Sequence, residues 1–324
     1  MKFDNIIGHT AIRKNFINSI ESGNFSHAHL ITGEDGIGKS FVALEAAMNI
    51  IGKEVYREYA DIVECRIANN RKSISVDQIR QIIEESNRKP YEGNRKVIIL
   101  HDSDKMTIQA QNAFLKTIEE PPDGVFILLL CENQEKILDT IKSRCQIHKL
   151  RKLSDNEIDK FIYNKYPNIL EDEKKAVKAF ADGVPGRIIS FIDNDSFKEI
   201  REKLINIMMD VNNADIETFL KNEEFLTKYK DMWQEILTCL LSYVRDIIIY
   251  KETGMDELII NLDKIDYIKK LTEVFSYNKL SSIIDIVNNT KSNLESNVNA
   301  SMAYHIMLLN MKETKSSSYH NSLG

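Results

Sequence analysis

The chain has 324 residues, of which 43% are hydrophobic and 28% are charged, and its formal net charge is -6. A chain of this length is too long for one typical hydrophobic core, so we predict two or three domains. The composition is that of a soluble globular protein. The negative charge argues against a protein that holds DNA mainly through its own electrostatic field, because such proteins are normally basic.

The cysteines and the apolar segments restrict the class further. The four cysteines are Cys65, Cys131, Cys145 and Cys239, and no two of them lie close together in the sequence. We therefore expect reduced thiols and neither a zinc ribbon nor a redox CxxC site. Residues 1–10 lack the apolar core of a signal peptide. The most apolar helical segment, residues 233–250, is interrupted by Glu235, Arg245 and Asp246. This argues against a membrane span, and we expect a cytoplasmic protein with no membrane partner.

The first 150 residues alternate strand patterns with helix patterns. We predict strands at residues 27–32, 97–100 and 125–130, and helices at residues 39–51, 75–86 and 107–120. The first of these helices should bury one face, formed by Phe41, Leu44, Met48 and Ile51. The second should open with a capping box at Ser75 and Gln78, and the third must end at Glu120 because Pro121 disfavours helical geometry in the residue before it. This order predicts a parallel α/β sheet flanked by helices.

Helical patterns replace strand patterns after about residue 150. We predict a small helical domain at residues 151–200, which contains a Gly/Pro turn, and a second helical domain at residues 201–312. The second domain has an apolar stripe of Trp233, Ile236, Leu237, Leu240, Leu241, Val244, Ile247 and Ile248. This stripe serves either internal helix packing or an interface with another chain. Residues 313–324 are polar, and we expect them to be disordered.

A phosphate-binding loop follows the first predicted strand. Gly33, Gly38, Lys39 and Ser40 satisfy the pattern G-x-x-x-x-G-K-[ST], with a strand before it and a helix after it. The glycines let backbone N–H groups turn towards the phosphates, Lys39 should reach the β and γ oxygens, and Ser40 should bind magnesium. The predicted nucleotide-binding residues are Gly33, Glu34, Asp35, Gly36, Ile37, Gly38, Lys39 and Ser40. The alternative is a loop that keeps this shape without nucleotide.

The strand at residues 97–100 ends in an altered pair of acids. Hydrolysis needs one acid there to hold the magnesium shell and usually a second acid to orient the attacking water. Either His101 takes the metal position and Asp102 the second position, or Asp102 takes the metal position and Ser103 the second. Neighbouring strand residues face opposite ways, so Asp102 cannot serve both positions. Because losing a general base costs roughly 10²- to 10⁴-fold in rate, we predict weak or absent ATP hydrolysis. We interpret His101 as a polar surface residue at the strand end.

Several segments together carry a family resemblance. Residues 3–40, 73–100, 112–122 and 140–145, and more thinly residues 183–187 and 297–310, resemble the clamp-loader branch of the AAA+ ATPases and, within it, the delta-prime subunits of bacterial DNA polymerase III. The resemblance implies an α/β P-loop AAA+ module at residues 1–150, followed by an all-α lid and an all-α C-terminal collar. It also implies a rigid, non-hydrolysing arm in a hetero-pentamer with motor and delta clamp-loader subunits. That assembly uses ATP to load a sliding clamp onto primer-template DNA, and no polymerase active site is expected in this chain.

The resemblance also assigns individual residues. Arg144 lies in the family's Ser-Arg-Cys motif and would act as an arginine finger in trans, where its planar, permanently charged guanidinium neutralises a γ-phosphate.

The first sensor position holds Cys131 or Glu132, which suits a poor hydrolase. Gly186 takes the place of the second-sensor arginine, and Arg187 is either a substitute sensor or a surface arginine at a helix start. We expect no zinc, since only Cys65 lies where relatives carry a four-cysteine module. The motif is compatible with ATP and with Mg²⁺ held through Ser40, and equally with a loop that binds no nucleotide.

Two other functions are compatible with the same motifs. One is an active motor ATPase of a clamp loader, which would hydrolyse ATP in its own loop. The other is an unrelated P-loop kinase or metabolic switch, which would need a substrate pocket with further acids or arginines near the loop. The sequence shows no separate set of such residues.

Overall fold

The computed structural model describes residues 6–55, 57–67, 71–296 and 298–313, which form two compact units. The first unit contains the described residues up to Lys165 together with Gly183–Gly186. The second contains Tyr166–Asp182 and the described residues from Arg187 onward. The finer division into a lid and a collar stays a prediction. The tail predicted to be disordered, residues 313–324, lies outside the described residues except for Glu313.

A five-stranded parallel sheet is the centre of the first unit. Its strands are β1 (Ala28–Thr32), β2 (Ile62–Cys65), β3 (Lys96–Leu100), β4 (Val125–Cys131) and β5 (Gln146–Lys149), in the spatial order β2-β3-β4-β1-β5. All four strand pairings are parallel, so the predicted α/β sheet is confirmed. The edge strands β2 and β5 were not predicted. Each has only four residues and is partly exposed, so neither shows the continuous apolar run of a central strand.

Helices cover both faces of the sheet. They are α1 (Thr10–Glu21), α2 (Lys39–Ile50), α3 (Val76–Ser86), α4 (Ile108–Glu119), α5 (Asp139–Lys142) and α6 (Asp155–Lys165). Ile31, Ile99 and Leu130 pack on the side of α1 and α2. Leu30, Ile98, Leu100, Ile127 and Leu129 pack on the side of α3, α4 and α5. Alternate residues of each central strand therefore belong to two separate cores, as expected for a sheet buried on both faces.

The predicted helix ends are correct, and one predicted buried face is wrong. The capping box of Ser75 and Gln78 is present at the start of α3, and α4 ends at Glu119 with Glu120 as its C-cap, directly before Pro121. In α2, however, Phe41 is 65% exposed. The buried face of α2 consists of Val42, Ala43, Ala46, Ala47 and Ile50, together with Glu45 and Met48. The small alanines let this helix lie close to the sheet, and the bulky Phe41 is turned away from it.

The second unit is helical. Its helices are α7 (Glu171–Ala181), α8 (Pro185–Asp193, of which the first two residues belong to the first unit), α9 (Asp195–Asp210), α10 (Ile216–Lys228), α11 (Trp233–Thr253), α12 (Ile265–Val274), α13 (Tyr277–Glu295) and α14 (Ala300–Glu313). From Leu150 onward the described residues contain no strand, as predicted. Among the helices that the structure describes, none is both long enough and apolar enough to cross a membrane.

The apolar stripe of α11 serves internal packing. Ile236, Leu237, Leu240, Val244 and Ile247 are buried in the core of the second unit, and Trp233, Leu241 and Ile248 pack against that core. Exposed apolar side chains lie instead on α10 and α14, and the sequence analysis did not single them out. They are Ile216, Leu220, Met302, Ile306 and Leu309.

Candidate functional site

The phosphate-binding loop lies between β1 and α2, as its motif predicted. Gly36 and Gly38 have positive φ angles of 76° and 108°, which glycine adopts without steric cost. Gly38 is the N-cap residue of α2, so the N–H groups of the first turn of α2 face the loop. The Lys39 ammonium donates hydrogen bonds to the carbonyls of Gly33 (2.7 Å) and Glu34 (2.8 Å). The loop thus combines a cation, backbone donors and the positive end of a helix dipole, which together suit a phosphate anion.

Two neighbouring segments hold this loop in place. The Gly186 N–H donates to the Gly36 carbonyl at 2.9 Å, and the backbones approach so closely that a Cβ on Gly186 would lie 2.5 Å from the Gly36 Cα. His9 Nε2 lies 3.1 Å from the Ile37 carbonyl. Burial lowers the pKa of His9 from 6.5, so at neutral pH the uncharged ring donates this hydrogen bond. Sequence analysis missed His9, because no motif marks a histidine 28 residues from its partner.

His101 lies beside the loop serine, and the interpretation of His101 as a surface residue is wrong. Its side chain is buried because β3 ends next to the start of α2, with 4% of the residue exposed. His101 Nδ1 lies 3.4 Å from Ser40 Oγ, and His101 Nε2 lies 2.9 Å from Glu64 Oε2. This contact agrees with the first of the two registers considered, in which His101 takes the metal position, and that assignment stays a prediction.

Asp102 points to a different partner. Its carboxylate pairs with the Lys105 ammonium at 3.1 Å, and the side chain is about half exposed. The backbone of Asp102 has a positive φ of 49° and begins a short turn after β3. The described structure thus places a histidine, and not Asp102, against Ser40. Glu64, on the unpredicted strand β2, is a further member of the site that sequence analysis missed.

The protons of the Ser40, His101 and Glu64 contacts follow from their partners. An ionised carboxylate only accepts hydrogen bonds, so His101 Nε2–H donates to Glu64 and Nδ1 accepts from the Ser40 hydroxyl. Burial lowers the pKa of His101 from 6.5, although the hydrogen bond with Glu64 opposes that shift. The donor set of the loop fits the phosphates of a nucleotide. It does not fit the magnesium half of the site, because a nitrogen replaces the carboxylate oxygen that a hard cation prefers.

Arg144 follows α5, and its guanidinium contacts Thr140 and Glu119. One Nη1 hydrogen is donated to the Thr140 carbonyl at 3.0 Å, and Nε lies 3.1 Å from Glu119 Oε2, at the end of α4. Gln111 connects α4 to the segment before α5. Its amide nitrogen donates to the carbonyls of Met106 and Lys136, and its oxygen accepts from the Leu138 N–H. Gln111 therefore fixes the segment before α5, the helix that Arg144 follows.

Two family models match this chain. Residues 8–154 match the family described as DNA polymerase III, delta subunit, and residues 195–313 match its C-terminal family. The replication factor C small subunit of Methanococcus maripaludis is 30% identical over 246 residues, which cover 63% of this chain and 76% of the relative. The chain belongs to the clamp-loader family.

Two further clamp-loader relatives come from Bacillus subtilis. DNA polymerase III subunit delta' is 26% identical over 323 residues, which cover 92% of this chain and 94% of the relative. DNA polymerase III subunit tau is also 26% identical, and the match covers 91% of this chain but only 58% of tau. A solved gamma subunit-related protein from Thermotoga maritima has the same fold, with a TM-score of 0.54, 20% identity, and coverage of 92% of this chain and 98% of that one. Membership of this family removes the alternative of an unrelated P-loop kinase or switch.

The residues at the predicted sensor positions differ in their surroundings. Cys131 is buried in the core beside α4, and burial raises the pKa of its thiol to about 12. Glu132 is exposed, and its backbone N–H donates to Asp104. Arg187 belongs to the second unit, where its guanidinium lies 3.9 Å from the Asp182 carboxylate. A sensor role for any of them stays a prediction.

A metal cluster made by the protein alone is not found in the part of the chain that the structure describes. No group of three or more His, Cys, Asp or Glu side chains there could hold a metal ion. The expectation of a chain without zinc stays a prediction.

Proposed function

We propose that this chain is the delta-prime-type arm of a clamp loader, which supplies Arg144 to ATP held by a neighbouring motor subunit and does not hydrolyse ATP in its own loop. The observation that carries this proposal is His101 against Ser40. An imidazole in that position cannot supply the negative charge that a hydrolytic magnesium site needs.

The contacts of Arg144 support a role towards another chain. A guanidinium has five N–H donors, and within this chain one Nη1 hydrogen bonds Thr140 while Nε faces Glu119. Among the residues that the structure describes, no further partner of this guanidinium is found, so three donors remain on the Nη edge. A fork of this kind suits two oxygens of a phosphate. The Arg144 side chain is 34% exposed, and its Nε atom is buried next to Glu119.

The proposed partners are motor and delta clamp-loader subunits in a hetero-pentamer, with the sliding clamp and primer-template DNA contacted through that assembly in the cytoplasm. The exposed apolar residues of α10 and α14 support a contact between subunits in the collar. The two helices pack together, since Ser301 and His305 of α14 both bond Glu223 of α10. Leu220 and Ile306 are 53% and 40% exposed on these helices. Replacing both with glutamate should prevent assembly with the motor subunits, measured by size exclusion.

The main experiment compares two sites of this chain in the assembled loader. Arg144→Ala should slow ATP turnover, and an arginine finger is worth roughly 10³- to 10⁵-fold at the site it serves. Lys39→Ala should leave turnover unchanged, because this chain's own loop does not hydrolyse ATP. Arg80→Ala is the matched control, since Arg80 lies exposed on α3 and pairs with the nearby Asp77. Turnover that is lost with Lys39→Ala and kept with Arg144→Ala would overturn the proposal.

An active motor subunit is the second candidate, favoured by the complete loop motif and by the similarity to tau. It predicts steady ATP hydrolysis by the purified chain alone, which Lys39→Ala would stop. Phosphate release by the isolated protein with magnesium therefore separates the two candidates. The arm predicts release no faster than that of the Lys39→Ala variant.

A further inference from the structure

The contacts from Ser40 through His101 to Glu64 lie where P-loop NTPases hold magnesium. In such proteins the loop Ser or Thr binds the ion, and an acid at the end of a neighbouring strand completes its shell. Here Ser40 Oγ lies 3.4 Å from His101 Nδ1, and His101 Nε2 lies 2.9 Å from Glu64 Oε2. The strand-end position therefore holds an imidazole, and both of its ring nitrogens already have hydrogen-bond partners.

The orientation of His101 makes it a poor substitute for a carboxylate. Its Nδ1 lone pair faces the Ser40 hydroxyl, and its Nε2 hydrogen faces Glu64. Mg²⁺ demands oxygen ligands in near-octahedral geometry and gives up its waters reluctantly. An imidazole that is already bonded on both sides offers it neither an oxygen nor a lone pair.

The charge at this position also differs from that of an acid. Imidazole is neutral or positive and never negative. Glu64 lies on the far side of the His101 ring from Ser40 and pairs with the Arg66 guanidinium at 3.1 Å. The negative charge of Glu64 is thus shared with a cation and separated from Ser40 by the width of the ring. Losing a partner in the outer shell of a metal typically costs about 10- to 100-fold in metal affinity.

The half of the site that binds an anion is intact. Lys39 lies within reach of the loop carbonyls at 2.7 and 2.8 Å, and phosphate oxygens can replace those carbonyls as its partners. The first turn of α2 contains no acidic residue that would repel a phosphate. We infer that the loop binds a nucleoside diphosphate or triphosphate through its phosphates alone, with an affinity that does not depend on a divalent cation. This inference rests on the predicted binding of nucleotide by the loop, and it is independent of the role proposed for Arg144.

The test is calorimetric titration of the purified chain with ADP and with ATPγS, in magnesium and in EDTA. The dissociation constants measured in magnesium and in EDTA should agree within about threefold, whereas one outer-shell partner alone typically changes metal affinity by roughly 10- to 100-fold. Lys39→Ala should abolish binding in both buffers and so shows that the signal comes from this loop. Binding at least tenfold tighter in magnesium would overturn the inference and leave nucleotide binding intact. If neither nucleotide bound in either buffer, both the inference and nucleotide binding by this loop would be overturned. The role proposed for Arg144 would still be tested separately, by the effect of Arg144→Ala on turnover by the loader.

A gain of magnesium dependence provides a second test. The double variant His101→Asp with Glu64→Gln places a carboxylate beside Ser40 and removes the like charge that would face it. Its affinity for ATPγS should become stronger in magnesium by roughly 10- to 100-fold. Asp102→Asn is the matched control, because Asp102 is exposed at the same strand end and pairs with Lys105; it should behave as the unmodified chain. If circular dichroism shows that the double variant does not fold, the comparison of the two buffers with the unmodified chain still decides.

Discussion

Glu119 and Arg144 form an ion pair in which Glu119 Oε2 lies 3.1 Å from Arg144 Nε. Glu119 is the last residue of α4, and the prolines that follow fix where that helix ends. The Glu119 carboxylate therefore projects from a rigid helix end, and it contacts the guanidinium at Nε. Because half of Glu119 is exposed, the pair adds little to stability, and its value lies in orienting the arginine.

Replacing Glu119 with glutamine should weaken the action of Arg144 without removing it. The guanidinium loses its charged partner at Nε, so its tip should sample more orientations, and ATP turnover by the assembled loader should fall by about tenfold at the affected site. The measurement is steady-state ATP hydrolysis by the loader reconstituted with each variant.

The neighbouring residue provides the control for this prediction. Glu120 is exposed beside Glu119, and Glu120→Gln removes the same charge one residue away, so turnover should stay unchanged. Equal losses with both variants would mean that the overall charge of this region matters and that the pairing does not. A loss with Glu119→Gln that also appears when Arg144 is already alanine would exclude an effect through the arginine.

Gln111 should prove important for stability because it is almost fully buried and bonds three backbone groups. Gln111→Leu leaves the Leu138 N–H and the carbonyls of Met106 and Lys136 without this partner. The free energy of unfolding should fall by about 3 kcal/mol, since each buried polar group left unpaired costs about 1–3 kcal/mol. Urea denaturation measures the change. Gln109→Leu, on the exposed side of the same helix, should change stability by no more than about 0.5 kcal/mol.

Gly186→Ala should destabilise the first unit even though alanine favours helices. The new Cβ would lie 2.5 Å from Gly36 Cα and 3.0 Å from Gly36 O. Because these are backbone atoms, the phosphate-binding loop itself must move, and overpacking of this kind costs about 1–3 kcal/mol. The midpoint temperature of thermal unfolding should fall, and the affinity for ADP should decrease. Gly93→Ala is the matched control, since a Cβ there would meet no atom within 4 Å. An increase in stability with Gly186→Ala would show that the two segments separate easily.

The buried pair of His29 and His148 predicts a loss of stability in mild acid. His29 Nδ1 lies 2.9 Å from His148 Nε2 across β1 and β5. Burial lowers the pKa of His29 to about 3 and that of His148 to about 4, from 6.5 in the unfolded chain. As the pH falls below 6.5, both imidazoles become protonated in the unfolded chain, whereas in the folded chain they stay neutral down to about pH 4. The unfolded chain therefore binds more protons, and the free energy of unfolding decreases.

The variant His148→Gln isolates this effect. Glutamine can still donate a hydrogen bond to His29 but does not titrate in this range. Between pH 6 and 5 the slope of unfolding free energy against pH should therefore fall by up to about 1.4 kcal/mol per pH unit. Urea denaturation at each pH measures the slope. The same slope in both proteins would mean that the imidazoles take up protons in the folded state.

Much of the first unit could be predicted from local sequence. The loop motif, the capping box at Ser75 and the end of α4 before Pro121 depend on residues within a few positions of one another, and the structure has all three. The central strands were predictable because burial on both faces demands an unbroken apolar run. The edge strands β2 and β5 lack that run, since one side of an edge strand meets solvent, and they were missed.

What the sequence determined by itself is a clamp-loader module with a phosphate-binding loop and an altered pair of acids. Only the tertiary structure decided which altered residue meets Ser40. His101 lies 61 residues from Ser40 and 37 from Glu64 in the chain, and their contacts depend on the pairing of β2 with β3 and on where α2 begins. Local patterns do not specify such pairings. The register of neighbouring strands is set by the packing of whole faces, so the chemistry at the strand ends becomes visible only once the sheet has formed.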